Sequence, residues 1–223
     1  MGADDSLKHI RLNIIPLSLM LVIPVINIIY RKLNNPLNGC YNLVTFLDKQ
    51  VPFIKEFIVM YWVWYPFLIL ILVYFCFNYR KIYYKTMITI ILGMFLCYIT
   101  YFLFQTTVPR PTLYGRDIFI GIVKLTYRWD NPFNCFPSIH VLTTYAVIRG
   151  CMEGVKNRMN KISINFIGIF IILSTQFVKQ HVILDLISAI ILAEILYRFV
   201  AGFILEKCEI VFSNKYIDIN SEQ

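Results

Sequence analysis

Apolar residues fall into six long runs, at positions 12–30, 57–77, 87–104, 137–152, 162–178 and 182–205, and the charged residues gather between them. A bilayer core about 30 Å thick needs roughly 20 apolar residues per spanning helix, so all six runs are read as membrane helices. The run at 137–152 is the shortest and is interrupted by Arg149. Polar and apolar positions do not alternate within the runs, which excludes barrel strands. Only helices then satisfy their own backbone polar groups in lipid. The pattern predicts an all-α fold: a polytopic membrane bundle of six transmembrane helices forming a single domain over residues 1–223. The first run is flanked by Lys8 and Arg11 before it and by Arg31 and Lys32 after it, with no small-residue cleavage site. It reads as an uncleaved anchor. Two connections exceed a turn. Segments 34–55 and 116–134 mix apolar residues with charge, and each is read as a short helix lying on the membrane surface.

Composition agrees with this picture. The chain is 58% hydrophobic, with a mean hydropathy of +0.65. The formal net charge of +8 raises the question of nucleic acid, but the Lys and Arg residues are scattered through short loops and form no basic face. Positive residues flanking spans and meeting anionic headgroups account for the charge. With the N-terminus inside, twelve Lys and Arg residues fall on the inner side and nine on the outer. That bias predicts cytoplasmic N- and C-termini and turns the loops after the third and fifth runs outward. The six cysteines lack metal-ligand spacing, and most lie in or beside apolar runs. Neither a metal site nor a cofactor is expected, and a Cys40–Cys135 bridge is left open.

Candidate chemistry lies at the outward ends of the runs. His9 is in the N-terminal tail, while His140 and His181 stand at the starts of the fourth and sixth runs. Either one alone has an innocent reading, as a ring bridging lipid and water. Asp185 changes that reading. It lies four residues after His181, on the same helix face, inside an otherwise apolar stretch. A charge in that setting costs about 2.5–3.5 kcal/mol on insertion scales and needs a partner. A carboxylate on one ring nitrogen fixes the tautomer and frees the other as a nucleophile. In Pro137-Ser138-Ile139-His140, a proline and a hydroxyl open a helix whose free N–H groups suit an anion, with His140 placed to protonate a leaving oxygen. Arg110, between Pro109 and Pro111, offers a planar fork matched to phosphate oxygens. Glu194 lies nine residues past Asp185, on the opposite face, and pairs more naturally with Arg198. The aromatic second run reads as lipid-facing or packing surface.

Taken together, these clusters resemble the type-2 phosphatidic acid phosphatase superfamily. Its Arg-Pro motif matches Arg110-Pro111 and its Pro-Ser-x-His motif matches Pro137-Ser138-Ile139-His140. Its third motif matches Ser174, His181 and Asp185, and Trp62-Val63-Trp64-Tyr65-Pro66 extends the likeness more loosely. The resemblance implies a metal-independent enzyme with His181 as nucleophile, held by Asp185, and with His140 as acid and base. Arg110, Ser138, Ser174 and Lys179 would bind the phosphate. Two family cations are missing, because Leu103 stands for the first-motif lysine and Thr175 for the third-motif arginine. That departure, with Lys179-Gln180-His181, looks more like the inositolphosphotransferase branch that includes inositol phosphorylceramide synthase. The expected function is hydrolysis of a lipid phosphate, diphosphate or phospholipid headgroup through a phosphohistidine, at the outer face of the plasma membrane. Two alternatives stand beside it: transfer of a phospho-headgroup to a lipid alcohol, and a lipid carrier without turnover on the same scaffold. The expected partners are the lipid substrate and the membrane, with no nucleic acid.

Overall fold

The computed structural model describes residues 14, 16–36, 39–201 and 203–207. His9, Cys208 and the flanking charges Lys8, Arg11 and Lys215 lie outside them. Among the described residues there are eight α-helices. A 3-10 turn at Leu19–Leu21 leads into α1 (Val22–Leu33). A connecting segment holds the two-residue strand β1 (Tyr41–Asn42) and the short α2 (Phe46–Gln50), and a further 3-10 turn leads into α3 (Ile58–Asn78). Then come α4 (Arg80–Leu103), β2 (Thr106–Thr107), α5 (Ile118–Trp129), α6 (Ile139–Gly154), α7 (Arg158–Phe177) and α8 (Ile183–Ile195), the last continued by a π-helical turn at Leu196–Val200. β1 and β2 pair in parallel, Tyr41 opposite Thr106 and Asn42 opposite Thr107.

Among the described residues, five segments are long and apolar enough to cross a membrane: Pro16–Leu33, Lys55–Asn78, Arg80–Leu103, Arg158–Phe177 and Ile183–Lys207. They mark an integral membrane protein. The fourth apolar run, which forms α6, is not among them. The 16 residues of α6 rise only about 24 Å at roughly 1.5 Å per residue. The reason is visible in the packing, since α6 lies against α4, α7 and α8 and buries Val141, Leu142, Ala146 and Val147 completely. A helix packed mainly against other helices presents little outer surface whose length must match the bilayer. Gly150 and Gly154 permit the closest of these approaches. A Cβ added at Gly150 would stand 2.5 Å from the Thr86 hydroxyl oxygen of α4, and one at Gly154 would run into Ile82.

Short links make successive long helices antiparallel. Tyr79 alone joins α3 to α4, and residues 155–157 join α6 to α7. The ends of α1, α4 and α7 therefore meet the starts of α3, α6 and α8 at one end of the bundle. There the Tyr30 ring lies 6.4 Å from Tyr98 and 6.3 Å from Tyr101, and the Tyr101 hydroxyl donates to the Pro137 carbonyl at 2.5 Å. At the far end, the Tyr83 hydroxyl donates to the Pro16 carbonyl. Also toward that end, Glu194 accepts from Arg198 as expected, and additionally from Arg149 at 3.2 Å and Tyr145 at 2.8 Å.

Of the two surface segments, 116–134 forms the amphipathic α5, begun by Asp117, whose carboxylate accepts from the amides of Phe119 and Ile120. Segment 34–55 yields only the five residues of α2, started by a Thr45–Asp48 capping box.

Candidate functional site

The link between α7 and α8 is what positions His181. Lys179 adopts a left-handed conformation (φ 53°). The amides of Gln180 and His181 both return to the Thr175 carbonyl, so the chain reverses sharply and presents the imidazole at the bundle end. His181 Nδ1 lies 3.1 Å from the Cys135 carbonyl oxygen and 3.2 Å from Asp185 Oδ2. A carbonyl can only accept, so the proton belongs on Nδ1, and Nε2 carries the lone pair. Asp185 is completely buried, and its Oδ2 also accepts from the Val182 amide at 2.9 Å. The i to i+4 pairing read from the sequence is thus made, with a backbone carbonyl as an additional anchor.

His140 is the second residue of α6, and its ring centroid lies 5.8 Å from that of His181. Both rings are buried. The surroundings differ. No hydrogen-bond partner for His140's ring nitrogens is found among the described residues. Its neighbours are rings, with Tyr61 at 4.7 Å and Trp64 at 4.4 Å between centroids.

Beside His181 lies a cavity of about 260 Å³ whose wall includes Asp48, Arg110, Gln176 and Lys179. Arg110 donates to the carbonyls of Tyr127 (2.9 Å) and Asp130 (2.6 Å) and to Gln180 Oε1 (2.7 Å), and its guanidinium stands 4.2 Å from the Tyr127 ring centroid. Those bonds consume both terminal nitrogens in orienting the group and leave Nε over. Arg110 Nε, Gln176 Nε2 and Gln180 Nε2 are all buried donors without an acceptor. An orphaned buried donor costs about 1–3 kcal/mol. Arg110 and Gln176 belong to the cavity wall, Gln180 stands behind Arg110, and Asp185 Oδ1, behind His181, is a buried acceptor likewise without a partner.

Not every residue chosen from the sequence reaches that place. His181, Arg110 and Lys179 line the cavity, Asp185 stands behind His181, and His140 lies off the wall at ring distance. Ser138 caps α6, its hydroxyl oxygen accepting from the Val141 amide, and Ser174 spends its hydroxyl on the Ile171 carbonyl within α7. Neither serine lines the cavity. The Lys179 ammonium donates to the carbonyls of Asp48 (3.2 Å) and Val51 (2.5 Å). Burial lowers its pKa, and the Asp48 charge partly offsets the shift. It works first as a clasp on the connecting segment.

Sequence reasoning missed Asp48, Gln176, Tyr61 and Trp64 as site residues. Asp48 is buried, and its Oδ1 accepts from the Ile183 amide at 2.7 Å. With Asp185 on Val182, two carboxylates occupy the first amides of α8, so no anion binds there. For Gln176 a signal did exist, because Gln176 and Gln180 are spaced by four immediately before His181. The partners of Asp48 and Trp64 are too distant in sequence to leave one.

The Cys40–Cys135 bridge left open by the sequence is not formed: Cys40 hydrogen-bonds Gln105 and Cys135 the Pro132 carbonyl. Burial, with the charge of Asp185 nearby, pushes the Cys135 thiol well above its usual pKa. It is no competing nucleophile. Compared with protein-family models, curated proteins and solved structures, the chain matches none of them.

Proposed function

We propose that this protein is a membrane-embedded phosphoryl-transfer enzyme that hydrolyses a lipid phosphate, diphosphate or phospholipid headgroup through a phosphohistidine, as the resemblance to the type-2 phosphatidic acid phosphatases implies. The observation that carries the reading is the His181 ring. Nδ1 is committed to a carbonyl and a carboxylate, Nε2 is free, and a second imidazole stands 5.8 Å away beside a cavity edged with unpartnered donors. His181 Nε2 attacks phosphorus as the bond to the leaving oxygen breaks, and protonated His140 gives its proton to that oxygen. In the second half, His140 takes a proton from water as its oxygen attacks phosphorus. The P–N bond breaks, and His181 returns to its starting state. Arg110, oriented by Gln180, and Gln176 hold the non-bridging oxygens throughout.

Transfer to a lipid alcohol is the second reading, and it differs only in the acceptor of the second half. The donor set favours it. Leu103, where the family has a lysine, is 74% exposed and far from being a ligand, and neutral amides replace the other missing cation. As proposed, α6 completes a six-span bundle in the plasma membrane, with termini in the cytoplasm and the cavity at the outer face.

The test is to offer purified protein a panel of lipid phosphates and phospholipids with and without chelator, alongside His181→Ala and His140→Ala. Loss of phosphate release or headgroup exchange in both variants is expected, together with loss of an acid-labile, base-stable phosphoenzyme in the first. Full activity in either variant overturns the reading.

A further inference from the structure

The two imidazoles are held by different means, and the difference points to residues that carry no titratable group at the reaction centre. His181 is fixed by directed hydrogen bonds to Cys135 and Asp185. For His140 no such bond to a ring nitrogen is found among the described residues, yet a proton donor must aim one nitrogen at the leaving oxygen within about 3 Å. Something other than a hydrogen bond must set its ring plane.

Tyr61 and Trp64 lie one turn apart on the same face of α3, and both rings reach His140, tilted to it by 35° and 51°. Each is anchored at its polar end. Trp64 Nε1 donates to the Thr143 hydroxyl at 3.0 Å, and that hydroxyl donates onward to the Ile139 carbonyl, so Trp64 is tied to the helix that carries His140. The Tyr61 hydroxyl points to Asp130 Oδ2 at 3.4 Å, and the backbone carbonyl of Asp130 receives Arg110.

We propose that Tyr61 and Trp64 form an aromatic corner that positions His140 as proton donor to the leaving group, so that the corner sets how far the enzyme can use a poor leaving group. The inference rests on the reading of His140 as acid. Aromatic faces hold the ring without competing for its nitrogens, and they attract an imidazolium as well as packing against the neutral ring. A hydrogen-bonding partner would have occupied the nitrogen that the leaving oxygen needs. Tyr61 and Trp64 touch no reacting atom; they are positioning residues.

The test uses leaving-group dependence. An alkyl leaving group needs a proton, whereas p-nitrophenolate departs without one. The ratio of kcat/KM for an alkyl ester to that for its p-nitrophenyl counterpart therefore isolates acid catalysis in the first half-reaction. Both esters are offered as phosphomonoesters and as phosphodiesters to the full-length protein, with folding followed by size-exclusion in detergent and by Tm. Trp64→Leu and Tyr61→Leu are expected to lower the ratio about tenfold, and Trp64→Phe and Thr143→Val about threefold, since the ring is then kept without its anchor. His140→Ala is expected to lower it most. An unchanged ratio in folded Trp64→Leu and Tyr61→Leu, with both esters slowed alike, overturns the corner and leaves the enzyme standing. An unchanged ratio in His140→Ala, or a wild type inert toward all four esters, removes the reading beneath it and the corner with it.

Discussion

Toward the far end of the bundle, Glu194 accepts from Tyr145, Arg149 and Arg198. At the cavity, Arg110 and Gln176, and behind them Gln180, each keep a buried nitrogen that meets no acceptor. Both clusters place charged or strongly polar groups among packed helices, where each must be satisfied or cost stability. The Glu194 cluster supplies a carboxylate for its own cations and so reads as architecture. The cavity cluster has carboxylates too, but Asp48 and Asp185 are turned toward the backbone amides of Ile183 and Val182, and Asp185 keeps Oδ1 unpartnered. Its donors and that carboxylate oxygen do not satisfy one another. Ionisable residues within a bundle therefore say less about function than the direction in which their unused valences face.

The sharpest way to break this contrast is Asp185→Asn. The amide can present N–H to His181 Nδ1 and so favours the wrong tautomer. Turnover is expected to fall roughly 10³–10⁴-fold, measured as the initial rate of phosphoenzyme formation, while Glu194→Gln leaves that rate near wild type. Equal losses in the two would erase the distinction between the clusters.

Next comes Gln176→Leu. Removing a donor to an anion should weaken inhibition by vanadate about tenfold, read from its Ki. The same change removes an orphaned buried amide, so Tm without ligand should rise. Weaker vanadate binding with a raised Tm is the signature of a group kept for a ligand at the expense of stability. A lowered Tm would place Gln176 with the structural residues.

Glu194→Ala should do the reverse. It leaves Arg149 and Tyr145 without their acceptor and should cost about 1–2 kcal/mol of stability, seen as a lower Tm, with the vanadate Ki unmoved.

The smallest effect belongs to Lys179→Met. Burial lowers the lysine's pKa in the folded protein, so the unfolded chain holds the proton more tightly. Stability therefore rises with pH from the folded value up to the ordinary lysine range near 10.5. Tm scans across alkaline pH should lose that slope in the methionine variant.

How far these clusters could be read from the chain depended on sequence distance. The apolar runs became helices at nearly the positions that their hydropathy gave, because a bilayer demands both apolar length and internal hydrogen bonding. His181 and Asp185 were legible together because four residues on one helix face is a local relation. Arg110 was legible by its chemistry, although not the two carbonyls and the glutamine that orient it. Ser174 had the right spacing, but a serine within a helix readily bonds back to a carbonyl one turn earlier, and Ile171 receives it. Trp64 looked like packing surface because the ring it meets, that of His140, is 76 positions away. Asp48 looked like a loop charge because the amide it caps is 135 positions away. Those relations exist only once the chain has folded.

The enclosure of α6 bears on how the protein is made. Sixteen residues that include Arg149 and Glu153 offer the insertion machinery a weak signal, since the segment is short for a span and its charges oppose insertion. The segment gains its place from α4, already in the membrane, and from α7 and α8, which leave the ribosome after it. His140 is thus fully enclosed only once α7 and α8, which follow it in the chain, have packed against α6.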